Sequence, residues 1–188
     1  SISLWFRLTN TSTDGYVRLL SKKPEWTQDE GFELEYNPVA RQIHLVCQGA
    51  HFIEGIVPVA SVDTEWHHVI ATLDGTNGTI RFDDQDITSI STVPLAGILA
   101  CPHPLTIGAL ANGSIAAVAP FQGAIDDLRI YSRPLTLSEQ QQLFIDTQKD
   151  VITDEMVAWW TADDSGTTIV DSSGFGHDGL ASNMTADA

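Results

Sequence analysis

Short alternating runs, each closed by a turn cluster, constrain this chain more than any other feature. ISLWFRL at Ile2–Leu8, YVRLL at 16–20, GFELEY at 31–36 and QIHLVC at 42–47 each put apolar side chains on alternate positions. So do HHVIATL at His67–Leu73, GTIRF at Gly78–Phe82, LTIG at 105–108 and AIDDLRIY at 124–131. A period of two means a strand with one buried face. TSTDG, DGTNG and ANGS lie between the runs and supply the residues that turns need. About ten short strands at this regular spacing predict an all-β chain: an antiparallel two-sheet β-sandwich or jelly roll.

One segment breaks the period. In RPLTLSEQQQLF at 133–144, Thr136 can cap the first-turn N–H groups and Glu139, three residues later, can reach back. Leu135, Leu143 and Phe144 supply an apolar stripe. This predicts one short helix near 137–145 on the sandwich edge. The polar stretch at 146–155 reads as a linker to a further segment, 156–188, which opens with the strand MVAWWT.

The 188 residues suffice for one domain with a substantial core. A net charge of −16 argues against nucleic acid, which needs clustered Lys and Arg, and against anionic membranes. No apolar run approaches the ~20 residues of a membrane span. Cys47 and Cys101 match no metal or redox spacing, and two thiols or one disulfide both fit.

Three groups of residues carry candidate chemistry. DSSGFGHDG at 171–179 combines acidic ends with glycines that let backbone carbonyls converge. Calcium takes about six to eight such oxygens. The same composition also makes a turn capped by an Asp side chain. Glu33 and Glu35, two apart on a strand, share one face at about 6.6–7 Å, a separation glycosidases use. A solvated strand face is the alternative, and catalysis is the minority reading. His67 and His68 are adjacent on a strand and point to opposite sides, so they cannot line one site. Trp26, in the acidic loop EWTQDE, and Tyr36 are the candidate sugar-stacking aromatics. Trp26 as a lid over a sheet edge fits equally well.

Most of the chain resembles a known family. WHHVIATLDG at 66–75 is similar to the "WHHVAATYDG" strand of laminin-G-like domains in the concanavalin A-like lectin/glucanase superfamily. GAIDDLRIYSRPLTLSE at 123–139 resembles that family's last strand and edge helix. VAWWTADD at 157–164, with DSSGFGHDG, resembles its first strand and first loop, and ISLWFR at 2–7 resembles the next strand. The resemblance implies a single LamG-like domain over 1–188 with its first strand displaced to the C-terminal end. Either the chain is cut from tandem repeats, or the domain is circularly permuted. A strand bearing Trp159 and Trp160 must pack, in cis or by exchange with a second copy. Packing in cis is the expectation.

The resemblance further implies a non-catalytic extracellular or cell-surface recognition module. Its ligand would be a glycan or a cell-surface protein. It also implies a structural Ca2+ bound by Asp171, the carbonyls of Gly174 and His177, and Asp126. His177 stands where the family usually has Asn, a change that a backbone ligand tolerates. A glycan-active hydrolase or lyase and a structural spacer are the alternatives.

Overall fold

The computed structural model describes residues 1–12, 15–24, 28–48, 51–75, 77–91, 98, 100–111, 117–118, 120–145, 154–164 and 167–180. Strands β1 (Ile2–Leu8), β2 (Val17–Ser21), β3 (Glu33–Asn37), β4 (Gln42–Gln48) and β5 (His51–Ile56) are followed by a 3-10 turn at Val59–Ser61. Then come β6 (His67–Leu73), β7 (Gly78–Phe82), β8 (Gln85–Asp86), β9 (Thr88–Ser91), β10 (Thr106–Ile107), β11 (Leu110–Ala111), β12 (Ala117–Val118) and β13 (Gly123–Tyr131). Helix α1 (Leu137–Ile145), β14 (Met156–Trp160), β15 (Thr168–Ile169) and β16 (Gly179–Leu180) complete the order. No helix among the described residues is long and apolar enough to cross a membrane.

Two six-stranded antiparallel sheets face each other. Sheet A runs β14-β13-β1-β6-β7-β8 and sheet B runs β10-β2-β3-β4-β5-β9. The alternation decides which side chains meet. Leu4 and Phe6 of β1, Val69 and Ala71 of β6, and Ile80 and Phe82 of β7 project from sheet A into the core. Leu34 and Tyr36 of β3, Ile43 and Leu45 of β4, and Ile53 of β5 meet them from sheet B. Each large side chain buried this way contributes about 1.5–3 kcal/mol.

Helix α1 forms at 137–145, as the sequence predicts. Thr136 N–H donates to Glu139 Oε2 at 2.8 Å, and Glu139 N–H donates to Thr136 Oγ1 at 3.3 Å. The capping box is therefore made. The helix lies on the outer face of sheet A, where Leu135 and Leu143 pack with Ile70, Tyr131 and Met156. Phe144 stacks on Trp5 and His68.

The linker expected at 146–155 lies outside the described residues up to 153. The strand after it pairs antiparallel with β13, with Trp159 opposite Arg129 and Trp160 opposite Leu128. Ala158 and Trp160 enter the main core. Both cysteines carry free thiols, and burial pushes the Cys47 thiol up to about 11.

His68, on the helix side of β6, yields a pH prediction. It is enclosed between Ser3, whose Oγ lies 2.9 Å from Nε2, and the ring of Trp5. Burial pushes its pKa down to about 4. The unfolded chain therefore binds the extra proton first, from about pH 6.5 downward. Stability is full above that pH and falls by about 3 kcal/mol as the pH approaches 4. Urea unfolding of the wild type and of His68→Gln across this range checks it. The expected result is a shallower pH slope in the variant; equal slopes would remove His68 from the account.

Candidate functional site

The outer face of sheet B gathers the polar chemistry. Since Leu34 and Tyr36 point into the core, Glu33 and Glu35 point the other way. The register then lines up four charged or titratable side chains across four strands. Arg18 of β2 sits opposite Glu35 of β3, Glu35 opposite His44 of β4, and His44 opposite Glu54 of β5. All four are buried.

Their bonds form one network. Arg18 Nη1 reaches Glu35 Oε2 at 2.8 Å, and Arg18 Nε reaches Glu33 Oε2 at 3.0 Å. His44 places Nδ1 3.3 Å from Glu35 Oε1 and Nε2 3.1 Å from Glu54 Oε2. Gln42 Nε2 and Ser89 Oγ each donate to Glu54 at 2.7 Å. The Tyr16 hydroxyl donates to Gln42 Oε1 at 2.7 Å. Burial, then the charges of Glu35 and Glu54, push that phenol up to about 12, so it stays a neutral donor. The rings of Tyr16 and Phe52 both stack on His44, each with its centroid 4.6 Å from the imidazole. Both rings are half-buried.

This arrangement does not poise Glu33 and Glu35 for acid–base catalysis. They share a face, as their spacing predicts, but both are ion-paired to the one guanidinium of Arg18. Glu33 is 0% exposed, and burial pushes its carboxyl up against the opposing pull of Arg18. A carboxyl with no path to substrate cannot pass it a proton.

The sugar-stacking pair takes a correction. Tyr36 is 1% exposed and packs edge-on to Phe6 in the core, so it presents no face to a ligand. Trp26 lies outside the described residues. Among the described tryptophans, Trp66 lies partly exposed with the Arg7 guanidinium 5.2 Å from its ring. Trp159 lies under Arg129 at 4.8 Å. Sequence reasoning missed Arg18, His44, Glu54, Tyr16 and Phe52. Polar residues wedged between core positions, as in IHL and IEG, were the available signal.

Next to sheet B, Lys23 is 1% exposed and acts as an internal cation. Its Nζ donates to the backbone carbonyls of Gln28 at 2.5 Å, Glu30 at 3.1 Å and Cys47 at 2.9 Å. The ammonium thus ties Gln28 and Glu30 to β4.

The expected calcium ligands already carry hydrogen bonds. Asp171 has both carboxylate oxygens engaged. Oδ1 accepts the N–H groups of Trp159 at 3.0 Å and Ser173 at 2.9 Å. Oδ2 accepts the His177 N–H at 2.9 Å, with His177 Nδ1 at 3.3 Å. Burial alone would raise this carboxyl, but the bonds from Ser173, Trp159 and His177 outweigh it and hold it well below the usual range. The His177 carbonyl is also engaged, since it accepts the Trp160 indole N–H at 3.0 Å. Gly174, at φ +85°, forms the turn. Asp126 accepts the Asp127 N–H at 2.7 Å and is raised by burial and by the charges of Asp127 and Asp163. Three of the four expected ligands, Asp171, the His177 carbonyl and Asp126, thus already accept N–H groups. Among the described residues no group of three or more His, Cys, Asp or Glu is placed to hold a metal.

Two facing antiparallel sheets, a helix on the outer face of one and a polar face crossed by aromatic rings on the other define a lectin-type sandwich. A family model described as the concanavalin A-like lectin/glucanases superfamily matches residues 1–141, and the chain belongs to that superfamily. No curated protein sequence matches it. Among solved structures, a candidate carbohydrate-binding protein from Bacteroides ovatus superposes with a TM-score of 0.61 at 14% identity. It covers 94% of this chain, and this chain spans only 50% of it. The mouse laminin α1 LG4-5 fragment gives 0.51 at 21% identity, covering 68% of this chain and 34% of its own. The CBM40 of a Ruminococcus gnavus sialidase, bound to α2,6-sialyllactose, gives 0.54 at 15% identity, with 73% and 78% covered. At these identities the likeness establishes the fold.

Proposed function

We propose that this chain is a non-catalytic carbohydrate-binding module acting outside the cell or at its surface, with the outer face of sheet B as its ligand face. The row Arg18–Glu35–His44–Glu54, flanked by the rings of Tyr16 and Phe52, carries the proposal. Sugars present hydroxyls for polar groups held in fixed positions, and C–H faces for aromatic rings. Here the half-buried Tyr16 and Phe52 rings supply the apolar faces, and the buried row holds them in place at the centre of the sheet. The sialyllactose-bound R. gnavus module supports the reading, because the same kind of sandwich holds a glycan there. The acidic net charge favours a neutral or cationic glycan over a polyanionic one. Calcium is left out, because Asp171 and the His177 carbonyl are taken.

A glycan array, with and without calcium, tests the proposal. The expected result is binding of at least one glycan that does not depend on calcium. Phe52→Ala and Tyr16→Ala should each weaken it by about tenfold or more, equivalent to ~1.4 kcal/mol. An array without a hit, or binding untouched by both substitutions, overturns the assignment to this face.

A further inference from the structure

The calcium ligands expected in DSSGFGHDG are engaged elsewhere, and their bonds show another role for the loop. Among the described residues, strand β14 is the outermost strand of sheet A and pairs with β13 alone. An outermost strand leaves a row of N–H and C=O groups that invites pairing with another chain. The loop meets these groups at Trp159. Asp171 Oδ1 accepts the Trp159 N–H, and Ser172 N–H donates to the Trp159 carbonyl at 2.7 Å. One residue on, the Trp160 indole donates to the His177 carbonyl. A carboxylate and an amide therefore occupy the places that a neighbouring strand's carbonyl and amide would fill.

The loop is built to hold this pose. Asp171 N–H donates to Asp178 Oδ1 at 2.9 Å, and Asp171 Oδ2 accepts the His177 N–H, so the two ends of the loop are tied together. Gly174 and Gly176, at φ +85° and +77°, make the tight return that other residues resist. Val170 N–H donates to Asp164 Oδ2 at 2.8 Å and fixes the approach.

We propose that residues 171–179 are a metal-independent cap on the open edge of sheet A, with the Asp171 carboxylate as its central group. The cap both fastens β14 and blocks the addition of a strand from a second copy. It takes the place of the calcium site that the loop's composition suggests.

The test uses the full chain. Melting is followed in excess EDTA and in added calcium, and amide exchange is followed at Trp159. The expected result is one melting temperature in both solutions and a protected Trp159 amide. Asp171→Ala should speed exchange at Trp159 by about tenfold or more, the equivalent of one buried N–H losing its acceptor. It should also show dimers or larger species in light scattering. Asp171→Asn, which keeps one acceptor oxygen, should fall between the two. A rise in melting temperature with calcium and a fall with EDTA would overturn the proposal. So would a fast-exchanging Trp159 amide in the wild type. If Asp171→Ala does not fold, the Asn variant and the metal comparison still decide.

Discussion

Arg18→Leu should cost about 3–5 kcal/mol of folding free energy, although it places an apolar side chain in a buried position. The guanidinium is the shared partner of Glu33 and Glu35, at 3.0 and 2.8 Å, and also donates to the Tyr16 carbonyl at 2.9 Å. Once it is gone, Glu33 keeps the Ser21 hydroxyl as a donor at 3.4 Å. Glu33 is fully buried, and among the described residues its Oε1 has no hydrogen-bond partner even with Arg18 present. Removing one member of a buried ion pair strands the other, and that penalty exceeds what the pair contributed. Without the cation, Glu33 holds its proton more tightly in the folded chain than in the unfolded one. The deficit of Arg18→Leu should therefore shrink as pH falls. Urea unfolding at neutral and mildly acidic pH measures both effects, and adding Glu33→Gln should restore part of the loss. A deficit that is pH-independent and untouched by Glu33→Gln would assign the cost to packing alone.

Lys23→Met has the second large expected effect, about 2 kcal/mol, from the buried Cys47 carbonyl and the more open carbonyls of Gln28 and Glu30 losing their donor together. Methionine matches the length of the stem, so the change removes the ammonium while leaving most of the packing. The carbonyls of Gln28 and Glu30 belong to the loop around Trp26, and that of Cys47 belongs to β4. Beyond the stability loss, proteolysis should find a new site in the loop between β2 and β3 before the sandwich unfolds. Limited digestion followed by mass analysis reads this. Cleavage confined to other loops would show that Lys23 does not close this one.

Where alternation was clean, the sequence reading and the structure agree to the residue. Strands at Ile2–Leu8, His67–Leu73 and Gly78–Phe82 and the helix at Leu137–Ile145 are examples. Strand β5 was not legible, and Gly55 shows why. It faces the core where an apolar side chain would normally mark the period, and a Cβ there would lie 2.7 Å from Ile87 Cδ1. The methyl that fills the site comes from another segment. Tyr36 could have been placed correctly, because a strand that puts Glu35 outward puts its neighbour inward. The row across sheet B is a different case. Glu35, His44 and Glu54 become neighbours through inter-strand register, which no local pattern encodes. The state of Asp171 was illegible for a similar reason. Composition shows a carboxylate among glycines and does not show whether N–H groups or a cation reach it first.

The position of β1 bears on how the molecule is made. It pairs with β6 on one side and with β13 on the other, so its partners are synthesised long after it. A growing chain must carry ISLWFRL past the ribosome exit with no neighbour until 67–73 emerge, and with only one until 123–131 follow. Contacts of this separation make folding slow and leave an apolar strand exposed meanwhile. The interval between the emergence of β1 and that of β13 is therefore when this domain is most open to misassembly.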